Sequence, residues 1–139
     1  MFNRMLMMVV IFSITLCLGT AFAAGPNMNP GKWEITTQTE MEGMPMSMPA
    51  VTHTQCIKGD ELVPQSREAN KECVVSDMEI NGDTVSWKIV CSGANGGMEG
   101  TGKVTYSGDT MEGTMDMVIQ GGGMHVINKI SGKRIGDCD

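Results

Sequence analysis

The chain has 139 residues, of which 41% are apolar, and a formal net charge of −6. This length suits one domain, and the acidic balance argues against nucleic acids and anionic membrane surfaces as partners. Within the first 23 residues 17 are apolar, whereas the rest of the chain contains one leucine, Leu62, and no phenylalanine, which excludes a large leucine-rich helical core.

The N-terminal segment has the three parts of a secretory signal peptide. Arg4 supplies the positive charge, Met5–Leu18 form the apolar stretch, and Ala21-Phe22-Ala23 is a small-residue cleavage site. The apolar stretch is short for a membrane span. We therefore predict a signal peptide over residues 1–23 and a single disulfide-bonded β domain over 24–139. The protein is then periplasmic or secreted, with no transmembrane segment after the signal is removed.

Apolar and polar residues alternate along much of the mature chain, which is typical of half-buried antiparallel strands. The alternation is clearest from Trp33 to Met41 and from Met111 to Ile119. Further strands are predicted near residues 50–57, 73–80, 84–91, 98–107 and 124–135.

Short glycine-containing segments separate these strands. Asn81-Gly82-Asp83, Ser107-Gly108-Asp109 and Gly121-Gly122-Gly123 are hairpin signals, because glycine and asparagine tolerate positive φ. Only residues 58–70 depart from the pattern and predict one short helical turn. The expected fold is all-β: an antiparallel meander of about seven strands that forms a curled sheet or a small barrel.

Four cysteines follow the leader, and an even number in an exported chain predicts two disulfides. Their spacing is unlike that of a zinc site. A hairpin turning at Asn81-Gly82 pairs Ile80 with Asp83 and gives a good apolar face, but it sets Cys73 opposite Val90. A bulge would reconcile that face with a Cys73–Cys91 bridge. We favour Cys73–Cys91, which leaves Cys56–Cys138.

Several sequence blocks together resemble one known family. They are Pro30-Gly31-Lys32-Trp33-Glu34, Gly43-Met44-Pro45-Met46-Ser47-Met48-Pro49, Thr54-Gln55-Cys56, Cys73, Trp87, Cys91, and Lys133-Arg134-Ile135-Gly136-Asp137-Cys138. The mature chain resembles the exported bacterial family described as domain of unknown function 3617. The resemblance implies a periplasmic or secreted protein of Gram-negative type bacteria, and it implies no activity, ligand or catalytic residue.

The most unusual local feature is a cluster of methionines, Met41, Met44, Met46 and Met48. Thioethers are soft, neutral ligands that bind Cu(I) or Ag(I). Met44, Met46 and Met48, with His53 as a nitrogen donor, are therefore candidate Cu(I) ligands. The same loop, with Met41, is also a candidate contact for a ligand or partner, because methionine is a flexible apolar residue. Simple packing of these methionines in the core is the third interpretation.

The sequence offers no motif for catalysis. No two carboxylates have a spacing that points to an acid/base pair. The glycine runs lack the preceding strand and following helix of a phosphate loop, and there is no serine nucleophile elbow. We therefore expect no enzyme and no required cofactor. The favoured function is binding of a small apolar ligand or an envelope protein in the curve of the sheet. Soft-metal binding through the 41–48 loop and a purely structural role are the alternatives.

Overall fold

The computed structural model describes residues 25–46, 48–64, 72–93 and 96–139, so the predicted signal peptide lies outside the described residues. The fold is a single seven-stranded antiparallel sheet, as predicted. No helix in the described ranges is long and apolar enough to cross a membrane. The strands are β1 (Gly31–Met41), β2 (Val51–Ile57), β3 (Glu72–Asn81), β4 (Thr84–Ser92), β5 (Met98–Ser107), β6 (Thr110–Ile119) and β7 (Met124–Gly136).

The order of the strands is β2-β1-β7-β6-β5-β4-β3. The predicted meander therefore holds from β3 to β7, whereas the β1–β2 hairpin joins the sheet beside β7 instead of beside β3. As a result β2 and β3 form the two edges of the sheet. Since no pairing joins them among the described residues, the sheet is an open, curled half-barrel and not a closed barrel.

One face of the sheet, the inner face, carries the hydrophobic core. Trp33, Trp87 and Tyr106 are its largest side chains and are at most 2% exposed. Trp33 meets Tyr106 edge to face, with ring centroids 5.8 Å apart, a favoured aromatic geometry. Aliphatic and thioether side chains fill the remainder of the core: Ile35, Ile57, Val85, Ile89, Val104, Met111, Met115, Met117 and Ile130. Both tryptophans therefore anchor the core.

Glycines on the inner face allow the sheet to curl tightly. A Cβ atom added to Gly102 would lie less than 3.0 Å from the Trp87 ring, and one added to Gly113 would lie equally close to the Lys103 carbonyl oxygen. The indole of Trp87 therefore occupies space that a side chain at Gly102 would take. The absence of these side chains lets large aromatic residues fit within a sharply bent sheet.

The segment after β2 covers the inner face near the Gly31 end of the sheet. Leu62 and Pro64 are buried there, and the Tyr106 hydroxyl donates a hydrogen bond of 2.7 Å to the Leu62 carbonyl oxygen. Burial raises the pKa of Tyr106 well above its usual range. Within residues 58–64 the prediction of a helical turn is wrong: no helix forms there, and the Glu61 N–H donates to the Lys58 carbonyl oxygen in one isolated turn. Residues 65–70 of that prediction lie outside the described residues.

The β3–β4 hairpin combines the two features predicted from the sequence, an apolar face and a Cys73–Cys91 bridge. Ile80 pairs with Val85, so the turn residues are Gly82-Asp83 and the predicted pairing of Ile80 with Asp83 is wrong by two residues. A bulge between Ser76 and Glu79 then shifts the register. This bulge brings Cys73 opposite Cys91, and both predicted disulfides, Cys73–Cys91 and Cys56–Cys138, are present.

Candidate functional site

Three connections lie at the Met41 end of the sheet, and six methionines lie in or beside them. The Glu42 N–H donates to the His125 carbonyl oxygen at 3.2 Å, and the Gln120 N–H donates to the Gly97 carbonyl oxygen at 2.8 Å. The first bond links the β1–β2 connection to the start of β7, and the second links the β6–β7 turn to the β4–β5 connection. The six methionines are Met41, Met44, Met46, Met48, Met98 and Met124, and residues 41–48 are called the methionine loop.

The β1–β2 connection holds three of these methionines away from the core. The connection begins with a turn in which the Met44 N–H donates to the Met41 carbonyl oxygen (3.3 Å). Further along, the Met48 N–H donates to the Thr39 carbonyl oxygen (3.2 Å). Met44, Met46 and Met48 are 56%, 79% and 48% exposed, whereas Met41 is half-buried. Packing in the core therefore does not explain these three side chains.

His53 lies apart from the methionine loop. It is half-buried on β2 opposite Ile35, whereas Met48 contacts the backbone of Thr39. Ile35 and Thr39 are four residues apart on β1, and four residues of an antiparallel strand span about 13 Å. The structure therefore does not bring His53 to the methionines. Its Nε2 atom is buried and has no hydrogen-bond partner among the described residues. Those residues also contain no cluster of three histidine, cysteine or acidic side chains suited to a metal ion.

The curve of the sheet is occupied by the protein itself. Trp33, Trp87 and Tyr106 fill the inner face, where an apolar ligand was predicted from the sequence. A hollow of about 620 Å³ lies on the opposite, outer face, lined mainly by Thr36, Gln38, Lys103, Thr105, Glu112 and Lys129. These polar side chains do not suit an apolar molecule. The exposed methionine loop is therefore the better candidate for an apolar contact.

Strand β3 is an exposed apolar feature that was not predicted from the sequence. All ten of its residues are exposed, and the exposed fractions of Val74, Val75, Met78 and Ile80 lie between 43% and 66%. The alternation of residues indicates which face a side chain takes, but it does not show that a strand lies at a sheet edge. The sequence signal for an edge strand was the presence of three acidic residues among the apolar ones: Glu72, Asp77 and Glu79.

Comparison with known proteins gives a family without an assigned activity. No curated protein and no solved structure has detectable similarity to the chain. The family model described as "Protein of unknown function (DUF3617)" matches residues 28–138, which include all seven strands and both disulfides. The chain belongs to the DUF3617 family.

Proposed function

We propose that this protein is a non-catalytic, exported β-sheet protein that binds an apolar surface, of a protein partner or of a small ligand, through its methionine loop (residues 41–48). The exposure of Met44, Met46 and Met48 carries the proposal. Exposed thioether side chains are flexible and polarizable, so they adapt to apolar surfaces of different shape. The two disulfides support export, because such bonds persist in oxidising compartments.

Native mass spectrometry of the protein purified from its own host tests this binding. We expect additional mass on the wild type and none on the triple variant Met44→Gln/Met46→Gln/Met48→Gln, because glutamine keeps the side-chain length but replaces the thioether by a polar amide. Ile135→Gln is the matched control, since Ile135 is an apolar residue of similar exposure (47%) on β7, outside the loop. An unadorned mass in every wild-type preparation would contradict the proposal.

Binding of Cu(I) or Ag(I) is a second candidate function of the same loop. The supporting observation is that three thioethers within one connection are exposed and not used in the core. Thioethers need no deprotonation to bind soft ions, and in an oxidising compartment they persist where thiols form disulfides.

Titration with Ag(I) against a competing chelator tests this candidate. We expect the triple variant Met44→Leu/Met46→Leu/Met48→Leu to bind at least tenfold more weakly than the wild type, with Met78→Leu unchanged. His53→Ala should change the affinity less than twofold, given its position opposite Ile35. Equal affinity of the triple leucine variant and the wild type would remove the metal function.

The two sets of variants separate the two functions. Leucine removes sulfur but keeps an apolar side chain, so the leucine variant should lose soft-metal binding and keep the bound mass seen by native mass spectrometry. Glutamine removes both properties. Loss of the bound mass in both triple variants would assign the mass to a sulfur-dependent ligand and would contradict apolar docking.

A further inference from the structure

We propose that β3 is a second docking site, where an extended segment of another protein adds to the sheet as an eighth strand. The segment carries lysine or arginine at alternate positions between apolar residues. This site goes beyond the methionine loop and does not depend on it.

The backbone of β3 supplies the first argument. β3 pairs with β4 on one side, and within the described residues no strand pairs with its other side. An edge strand presents a row of free N–H and C=O groups that an extended peptide can complete. The Cys73–Cys91 disulfide ties the start of β3 to β4. The edge is therefore held in place before a partner arrives, which lowers the cost of ordering it.

The side chains of β3 supply the second argument. Val74 is 66% exposed and lies opposite Val90, itself 50% exposed, so two apolar side chains meet on the outer face. Val75 and Ile80 are also exposed, at 43% and 47%. An added strand would cover this apolar surface, and burial of apolar area favours binding. The other edge strand, β2, is different, because part of it is already buried.

Charge then decides the chemistry of the partner. β3 carries Glu72, Asp77 and Glu79 and no basic residue. Lys88 pairs with Asp77, with Nζ and Oδ2 3.3 Å apart, whereas no lysine or arginine pairs with Glu72 or Glu79 among the described residues. Opposite charges on neighbouring strands stabilise pairing, and like charges oppose it. Basic residues of an added strand that lie beside Glu72 and Glu79 would therefore form ion pairs with them and stabilise the pairing.

The same charges argue against a second copy of this chain as the occupant. Pairing β3 with another β3 would bring acidic side chains close to one another with no basic residue to balance them. The bulge between Ser76 and Glu79, where Asp77 has a φ of 49°, also interrupts the ladder, and bulges of this kind limit uncontrolled edge pairing. The regular stretch Glu72–Ser76 is left as the pairing surface, with Glu79 beyond the bulge.

Synthetic heptapeptides test the proposal on the disulfide-bonded protein. The probe alternates lysine and valine, the charge control alternates glutamate and valine, and a third peptide is the lysine probe with alternate amides N-methylated. We expect the lysine peptide to bind at least tenfold more tightly than the other two. In NMR hydrogen exchange it should slow exchange of β3 amides within residues 72–76. Equal binding of the N-methylated peptide would overturn strand addition, because that peptide keeps the charge but cannot donate the alternate hydrogen bonds.

Charge-reversal variants locate the binding site on β3. Glu72→Lys/Glu79→Lys should weaken binding of the lysine peptide at least fivefold. The matched control, Glu99→Lys/Glu112→Lys, makes the same change of charge on exposed positions of β5 and β6 and should leave the affinity within twofold. Equal weakening by both pairs would overturn the proposal. Slow exchange at β3 without peptide, with a dimer in sedimentation, would identify a second copy as the occupant and would also overturn it.

Discussion

Replacing Cys56 and Cys138 together by alanine is expected to lower the free energy of unfolding by about 4.5 kcal/mol in the loop-entropy description of disulfides. Replacing Cys73 and Cys91 in the same way is expected to cost less, about 3 kcal/mol. The difference arises because the first bridge closes a separation of 82 residues and the second a separation of 18. A longer closed loop removes more conformations from the unfolded chain.

Urea denaturation of the two double variants and the wild type, all with the remaining bridge formed, measures both effects. Domains of this size have only about 5–15 kcal/mol of stability, so loss of the Cys56–Cys138 bridge should remove between about a third and nine tenths of it. A larger loss in the Cys73→Ala/Cys91→Ala variant than in the other would contradict the assignment of the Cys56–Cys138 bridge as the main covalent stabiliser.

Placing a methyl group at Gly113 is expected to cost about 3 kcal/mol of stability, at the upper end of what overpacking usually costs. A Cβ there would lie less than 3.0 Å from the Lys103 carbonyl oxygen and from Val104, on the neighbouring strand β5. Backbone atoms of a paired strand cannot move aside as the end of a flexible side chain can. The Gly113→Ala variant must therefore separate β5 from β6 or flatten the bend.

Gly122→Ala is the control for this prediction. Gly122 lies in the β6–β7 turn, and a Cβ added there meets no atom within 4 Å, so its effect should stay within about 0.5 kcal/mol. Thermal unfolding of both variants followed by circular dichroism compares them directly. Similar melting temperatures for Gly113→Ala and the wild type would show that the inner-face glycine is not required for the curvature of the sheet.

The sequence predicted the strands well because the alternation at Trp33–Met41 and Met111–Ile119 depends on local chemistry alone. It predicted the partners of β1 poorly, because nothing near Trp33 indicates that its strand pairs with β7. The register of the β3–β4 hairpin needed a bulge at Ser76–Glu79. Asp77 lies in that bulge and has a positive φ. A bulge at many other positions between Cys73 and Asn81 would also have brought Cys73 opposite Cys91, so its place could not be predicted.

The candidate site was found from composition, but its geometry was not. The methionine spacing drew attention to residues 41–48, yet exposure of Met44, Met46 and Met48 depends on where the β1–β2 connection leaves the sheet. His53 was grouped with them because it is near in sequence. In the structure His53 lies on β2 opposite Ile35. It is far from the loop because an extended strand moves the chain away with every residue, so residues close in sequence need not be close in space.

The position of β1 beside β7 determines when this chain can finish folding. β3 to β7 form successive hairpins between sequence neighbours, which can assemble quickly because their loops are short. The β1–β2 hairpin has to wait, since residue 37 pairs with residue 130. During synthesis from the N-terminus, the first strands to emerge thus remain without their partner until the last strand is complete. The protein's slowest assembly step is therefore expected to be docking of its earliest-made strands onto its last-made one, which the Cys56–Cys138 bridge then makes permanent.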